Sequence, residues 1–321
     1  MNTDWQSQPW TGVYPATLCP FHDDESIDED GLREYIGELA RVEGVRGLTC
    51  NGHTGEIMSL RPTERDRVTS IVREAVDAAN AETGRDVKVI SGVSAEGSLE
   101  AADHARSAKD AGADAILLMP PHHWLRFGRS HDTAVGFFQD VAEAGTDIIV
   151  HQYPAWTKAG YTLDEMLEFV KLPEVVMIKM GTREMSRWLY DYEQIKAAAP
   201  HMSIVTCHDE YLLPTLVEAG DGALIGFGGF APQLMIDLVH ACLDGDLAKA
   251  KEAQRTVAPL ARLIYNFGEP GCGAHQRMKV ARWIMGKFPS PKFRRPIRPL
   301  SETAIEEIRQ QLREIGYPVE R

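Results

Sequence analysis

Asp147-Ile148-Ile149-Val150-His151 and Val175-Val176-Met177-Ile178-Lys179 are two short apolar runs, and residues 162–171 between them carry the spacing of an amphipathic helix. Runs this short and this rich in Ile and Val read as strands covered on both faces. Strand, helix and strand in succession form a βαβ unit, whose strands run parallel.

The same unit repeats outward in both directions. Strands are expected at Gly12–Leu18, Gly47–Asn51, Val87–Val93, Ala115–Met119, Asp147–His151, Val175–Lys179, Ser203–Thr206 and Ala223–Gly226. Helices are expected near 31–42, 63–80, 98–112, 132–144, 162–171, 184–199, 210–219 and 231–243. Eight such units close into a (β/α)8 TIM barrel. An open doubly wound sheet carries fewer units and a Gly-rich first turn, which this sequence lacks. Three more helical stretches, near 245–266, 275–286 and 302–315, exceed the barrel's needs and read as a C-terminal helical extension, the last one capped by Ser301. No linker, charge block or low-complexity run marks a boundary. The chain is read as one domain over residues 1–321, with the barrel at about 11–243 and the C-terminal helices at about 245–321.

A formal net charge of −13 argues against nucleic acid and anionic membrane surfaces as partners, since both need basic patches. The longest apolar stretches are strand-sized and too short to span a bilayer. The N-terminus, Met1-Asn2-Thr3-Asp4-Trp5, has neither the basic nor the apolar region of a secretory signal. Cys19, Cys50, Cys207, Cys242 and Cys272 are odd in number and lack CxxC spacing. That fits reduced packing thiols in a cytoplasm rather than a disulfide frame or a zinc knuckle.

Barrel chemistry sits at the C-terminal ends of the strands. The candidates are therefore Thr17, Asn51 to Glu56, His122 and His123, His151 to Thr157, Lys179, His208 to Glu210, and Gly226 to Phe230. Lys179 ends a buried run, where desolvation lowers a lysine's pKa and yields the neutral amine that attacks a ketone; a solvated strand-end lysine is the bland alternative. Asn51-Gly52-His53-Thr54-Gly55-Glu56 is a tight loop whose backbone N–H groups can face a carboxylate, although Gly-rich loops at such places are common. His151 at the barrel mouth suits general acid–base work near neutral pH, or is simply a hydrogen-bonded loop histidine.

Together and in this order these segments resemble the dihydrodipicolinate synthase / N-acetylneuraminate lyase superfamily of Schiff-base barrels. The resemblance rests on Ala16-Thr17-Leu18-Cys19-Pro20-Phe21, Gly52-His53-Thr54-Gly55-Glu56, Met119-Pro120-Pro121, Ile178-Lys179 and Gly226-Phe227-Gly228-Gly229-Phe230. It implies that Lys179 forms an imine with a 2-keto acid, that Thr54 with the Gly52–Gly55 backbone holds its carboxylate, and that the chains assemble as a homotetramer, a dimer of dimers. It calls for no cofactor.

The departures matter equally. Aligned on Pro154, the tyrosine of the family's Y-N-x-P motif is replaced by His151. The tyrosine after strand four, which the synthases lend to a neighbouring subunit, is replaced by His122, and the first hydroxyl of the substrate loop by His53. Three linked substitutions suggest a proton relay rebuilt from imidazoles, with His122 acting across a subunit boundary. Metal binding by the three is the other chemical option; no metal is expected, because the imine already supplies an electron sink. Trp156 stands where the synthases keep an arginine for the aldehyde's carboxylate, and an indole cannot replace a bidentate guanidinium. Asp209-Glu210 resembles the acidic pair with which sugar-acid aldolases bind hydroxyls, although a helix start also favours acids. Met119-Pro120-Pro121, the missing tyrosine and Gly228-Gly229-Phe230 are similar to the 2-keto-3-deoxy-sugar-acid dehydratases.

The sequence is thus read as a lyase, an aldolase or dehydratase, acting on a 2-keto-3-deoxy sugar acid. Lys179, His151, His53 and His122 are its candidate catalytic residues. Gly52, Thr54, Gly55, Trp156, Asp209, Glu210 and Gly228 are its candidate substrate contacts. The alternatives are a pyruvate-dependent synthase of dihydrodipicolinate type and a keto-acid-binding barrel without turnover. Because Trp156 replaces the arginine, the purified protein is expected not to condense pyruvate with aspartate semialdehyde. Substantial condensation in a coupled assay would contradict this.

Overall fold

In a computed structural model, which describes residues 4–154, 157–265 and 273–321, the eight expected strands form one parallel sheet. They are β1 (Gly12–Pro15), β2 (Gly47–Cys50), β3 (Lys88–Val93), β4 (Ala115–Leu118), β5 (Asp147–Gln152), β6 (Val175–Met180), β7 (Ser203–Thr206) and β8 (Gly222–Ile225). Their order is β1-β8-β7-β6-β5-β4-β3-β2. Arg46 N donates to Val13 O and Thr17 N to Thr49 O, both at 2.9 Å, and these bonds join β1 to β2 and close the barrel.

The helices between the strands are α1 (Glu29–Arg41), α2 (Pro62–Thr83), α3 (Ser98–Asp110), the short α4 (Trp124–Phe127), α5 (His131–Ala142), α6 (Leu163–Phe169), α7 (Met185–Ala198) and α8 (Leu212–Glu218). After β8 come the short α9 (Gly226–Phe230) and then α10 (Pro232–Leu243). The extension is α11 (Leu247–Tyr265), α12 (Ala274–Ile284) and α13 (Glu302–Glu314). Local chemistry sets their ends. Thr162 and Glu165 form a capping box at α6, Asp28 and Ser130 cap α1 and α5, and Ser301 accepts from Ala304 N at the start of α13, as expected. Gly84, at φ 69°, ends α2 in the left-handed conformation. The two short helices α4 and α9 were not expected; they lie in segments read from the sequence as loops. No helix among the described residues is long and apolar enough to cross a membrane.

Side chains alternate along each strand, and the alternation decides what reaches the mouth. Ala115, Leu117, Ile149, Met177, Val205 and Leu224 fill the barrel interior, while Ile116, Leu118, Ile148, Val150, Ile178 and Ile204 pack outward against the helices. Two residues beyond Ile149 and Met177 on the inward face lie His151 and Lys179. They are direct register partners across β5 and β6.

The C-terminal extension is bolted to the loop after β2. Glu56, held in a left-handed conformation at φ 58°, forms an ion pair with Lys279 of α12, and both side chains are 0% exposed. Lys279 Nζ also donates to Lys292 O at 2.9 Å and lies 4.7 Å from the ring centres of Phe21 and Phe293. Arg294 adds a fork to Glu64 at 2.7 and 3.0 Å. A buried pair contributes little net stability, but removing one partner strands a charge. Lys279→Met is therefore expected to cost on the order of 3–5 kcal/mol in urea unfolding, with most of it recovered in Lys279→Met/Glu56→Gln. A single-mutant cost below about 1 kcal/mol would contradict the assignment.

Candidate active site

Lys179 sits at the last inward position of β6, beneath the rim of the mouth. Burial lowers its pKa, while the nearby Cys207 thiol and Asp209 carboxyl act in the opposite sense. Among the described residues its amine makes no hydrogen bond or ion pair. Its neighbour is equally deprived: His151 is buried, and its Nδ1 has no hydrogen-bond partner. Burial first, then Lys179 and His53, holds His151 well below the usual imidazole range, so it is a neutral base near neutral pH. Gly181 locks the two strand ends together. It donates to Gln152 Oε1 at 3.0 Å, and a Cβ there would lie 2.3 Å from Gln152 O.

The loop after β2 delivers His53 and Thr54. Asn51, at φ 52°, turns the chain, and its side-chain nitrogen lies 2.9 Å from Arg65 O and 3.0 Å from both Thr69 Oγ1 and Ser91 Oγ. Gly55 N and Ile57 N bond back to Gly52 O, and Glu56 N to His53 O. The amides of His53 and Thr54 have no acceptor among the described residues, so they are the donors left over for an anion. Burial, then the charges of Lys179, His122 and His275, holds His53 down to about 3.

The three histidines substituted into the family pattern come together. The ring centroid of His53 is 5.7 Å from that of His151 and 6.3 Å from that of His122. His122 reaches the cluster from its own chain, on a loop clamped by Glu96, which accepts from His122 N at 3.1 Å, His123 N at 2.9 Å and His123 Nδ1 at 2.7 Å. Among the described residues, no three His, Cys, Asp or Glu side chains are grouped to hold a metal ion.

Asp209 and Glu210 separate. Asp209 is buried, and its two oxygens accept from Phe227 N at 3.0 Å and from Tyr265 OH. Glu210 stays part-exposed and pairs with Arg183 at 3.4 Å. Gly228 is packed on β1, where a Cβ would lie 2.9 Å from Pro15 Cα. Trp156 lies outside the described residues, as does Cys272; the other four cysteines are free thiols.

The sequence reading left out Glu96, Tyr265 and His275, and it gave no role to Tyr153, which stood within the candidate segment after strand five. Tyr153 OH lies 3.0 Å from His53 Nε2, and His275 lies close enough to His53 to oppose its protonation. The signal for Tyr153 was present: it follows His151 by two, the period of a strand. A cavity of about 720 Å³ opens at the opposite end of the barrel beside Trp10, Tyr14, Arg46 and Asp147. Barrel chemistry occurs at the strands' C-terminal ends, so the lysine and its imidazoles mark the candidate site instead.

Burial raises Asp209 from 3.8 to about 6, against the bonds from Tyr265 and Phe227. A raised carboxyl favours folding when protonated, so its contribution is full below pH 3.8 and lost as pH rises through about 6. Asp209→Asn is expected to gain stability relative to the parent between pH 4 and 7 in urea titrations. Parallel pH curves would contradict that.

Comparison with known proteins agrees with this layout. The pattern of the Dihydrodipicolinate synthetase family matches residues 9–315. A 4-hydroxy-tetrahydrodipicolinate synthase of Methanopyrus kandleri is 32% identical over 308 residues, 95% of this chain and 96% of the relative. The putative 2-dehydro-3-deoxy-D-gluconate aldolase YagE of Escherichia coli K12 is 27% identical over 318 residues, covering 97% and 98% of the two chains. The crystal structure of YagE in complex with pyruvate superposes with a TM-score of 0.85 at 26% identity, over 96% of this chain and 99% of that one.

Proposed function

This chain belongs to the dihydrodipicolinate synthetase family and is a lyase, and we propose that it works through an imine between Lys179 and a 2-keto acid. The observation that carries the reading is the pairing of Lys179 with His151 across β5 and β6. An amine short of hydration stands in register with a neutral imidazole whose buried Nδ1 is unpartnered. Imine formation needs the first, and proton removal at C3 needs the second.

In this reading the substrate carboxylate binds the free amides of His53 and Thr54 and the Thr54 hydroxyl, which brings C2 to Lys179. The neutral amine attacks C2, and the carbinolamine loses water. The protonated imine then draws electrons from C3, whose proton passes to His151. His53 and His122 supply the protons that the departing oxygen needs. A hydroxyl on the carbon beyond C3 leaves as water in a dehydration; in the aldolase outcome C3 keeps its proton, that hydroxyl gives its proton to His151, and the C3–C4 bond breaks with its electrons passing into the imine, leaving an aldehyde and the enamine of pyruvate.

The substrate class is a 2-keto-3-deoxy sugar acid. Similarity to YagE supports it, as does Glu210, the half of the acidic pair that stays accessible to hydroxyls. Leu125 and Phe127 of α4 are 44% and 74% exposed beside the mouth, which favours a second copy covering that rim within a dimer of dimers. Buried free thiols at Cys19, Cys50 and Cys242 favour a reducing cytoplasm.

The test is a panel of 2-keto-3-deoxy sugar acids assayed for pyruvate release and for water loss, with Lys179→Ala as control. Turnover of at least one is expected, falling at least about 10³-fold in the variant. Binding that survives Lys179→Ala, with no turnover of any panel member, would favour a non-catalytic barrel.

A further inference from the structure

The family motif after strand five keeps its hydroxyl three residues before the proline, a position His151 holds here. The fold puts a hydroxyl back two residues further on. Strand side chains repeat with period two, so Tyr153 leaves β5 on the same side as His151. Its oxygen lies 3.0 Å from His53 Nε2. Its ring meets the edge of the His151 ring at 4.8 Å between centroids and stands 5.9 Å from the ring of His53. His53 in turn stands 6.3 Å from His122, which is exposed at the rim. The order from the interior outward is His151, Tyr153, His53, His122.

We infer that Tyr153 is a positioning residue that joins the buried His151 to the rim, its hydroxyl passing protons between His151 and His53. This rests on the Schiff-base reading above. Burial keeps the phenol protonated, well above its usual range, and keeps His53 neutral, so the resting bond runs from the phenol O–H to the Nε2 lone pair. The steps balance. His151 takes a proton from C3 and becomes an imidazolium. No direct bond joins His151 to the phenol in this structure, so its N–H proton moves through one water in the site to the Tyr153 oxygen as the phenol's own proton moves to His53 Nε2. His53 releases the proton from Nδ1 to water at the rim. No oxidant or metal takes part, and each ring ends neutral. A buried base without such an outlet would return its proton to C3.

Pyruvate serves as the probe, since its methyl group is the C3 position. Incubation in D2O followed by NMR gives the rate of deuterium entry, and borohydride capture on Lys179 gives imine formation. Tyr153→Phe keeps the ring against His151 and removes only the oxygen. The expected result is capture within about twofold of the parent and deuterium entry slowed at least about tenfold. Because both residues serve one route, Tyr153→Phe/His53→Gln is expected to be no slower than the worse single variant. Unchanged exchange in Tyr153→Phe would overturn the inference. So would equal loss of capture and exchange, which would mark a residue that only builds the site, and so would additive effects in the double variant. Absence of capture in the parent protein would overturn the Schiff-base reading itself, and the inference with it.

Discussion

An ammonium group loses much of its hydration at the end of a buried strand, and Lys179 is placed there with no carboxylate bonded to it among the described residues. An isolated buried charge is costly, and the cheapest relief is to give up the proton. The surroundings follow from that constraint. His151 and His53, two of the imidazoles close enough to interact with Lys179, are themselves buried and held neutral, so they add lone pairs without adding charge. Asp209, the carboxyl close enough to affect Lys179, is turned toward Tyr265 and Phe227 N, and burial raises it. A mouth built in this way favours a neutral amine beside a neutral imidazole.

Precision at the mouth depends on residues far away in sequence. The loop carrying His53 and Thr54 ends at Glu56, whose carboxylate is clamped by Lys279 under two phenylalanine rings. The segment after β7 is held through Asp209 by Tyr265 at the end of α11. The helices beyond the barrel therefore act on the site through two buried polar contacts, one on each side of the mouth. Gly181, approaching the Gln152 carbonyl more closely than any Cβ would permit, fixes β6 against β5 in the register that pairs Lys179 with His151.

The barrel was legible because each strand is a short apolar run and several helices carry their own cap; Ser301 is the plainest case. Of the candidate site, the parts on or just beyond strand ends were legible, at His53, Thr54, His151 and Lys179. It was obscure where a contact joins distant segments. Nothing local in α12 shows that Lys279 reaches Glu56, and nothing in α11 shows that Tyr265 occupies Asp209, so a pair read as two hydroxyl ligands is divided between a buried brace and a rim acid. Matching by motif position also hid Tyr153: the aligned tyrosine is missing, while the fold brings another to His53 from two residues on. The resemblance also suggested that His122 acts across a subunit boundary; within its own chain the β4–α4 loop carries its ring to 6.3 Å from that of His53.

The most direct test of the central claim is reductive trapping. The protein is incubated with pyruvate, reduced with borohydride and digested, and the peptides are mapped by mass. The account requires one added pyruvate-derived group, on the peptide containing Lys179, at a pH below the ordinary lysine range because burial lowers that amine. An adduct on a different lysine, or none with pyruvate and longer 2-keto acids alike, would contradict it.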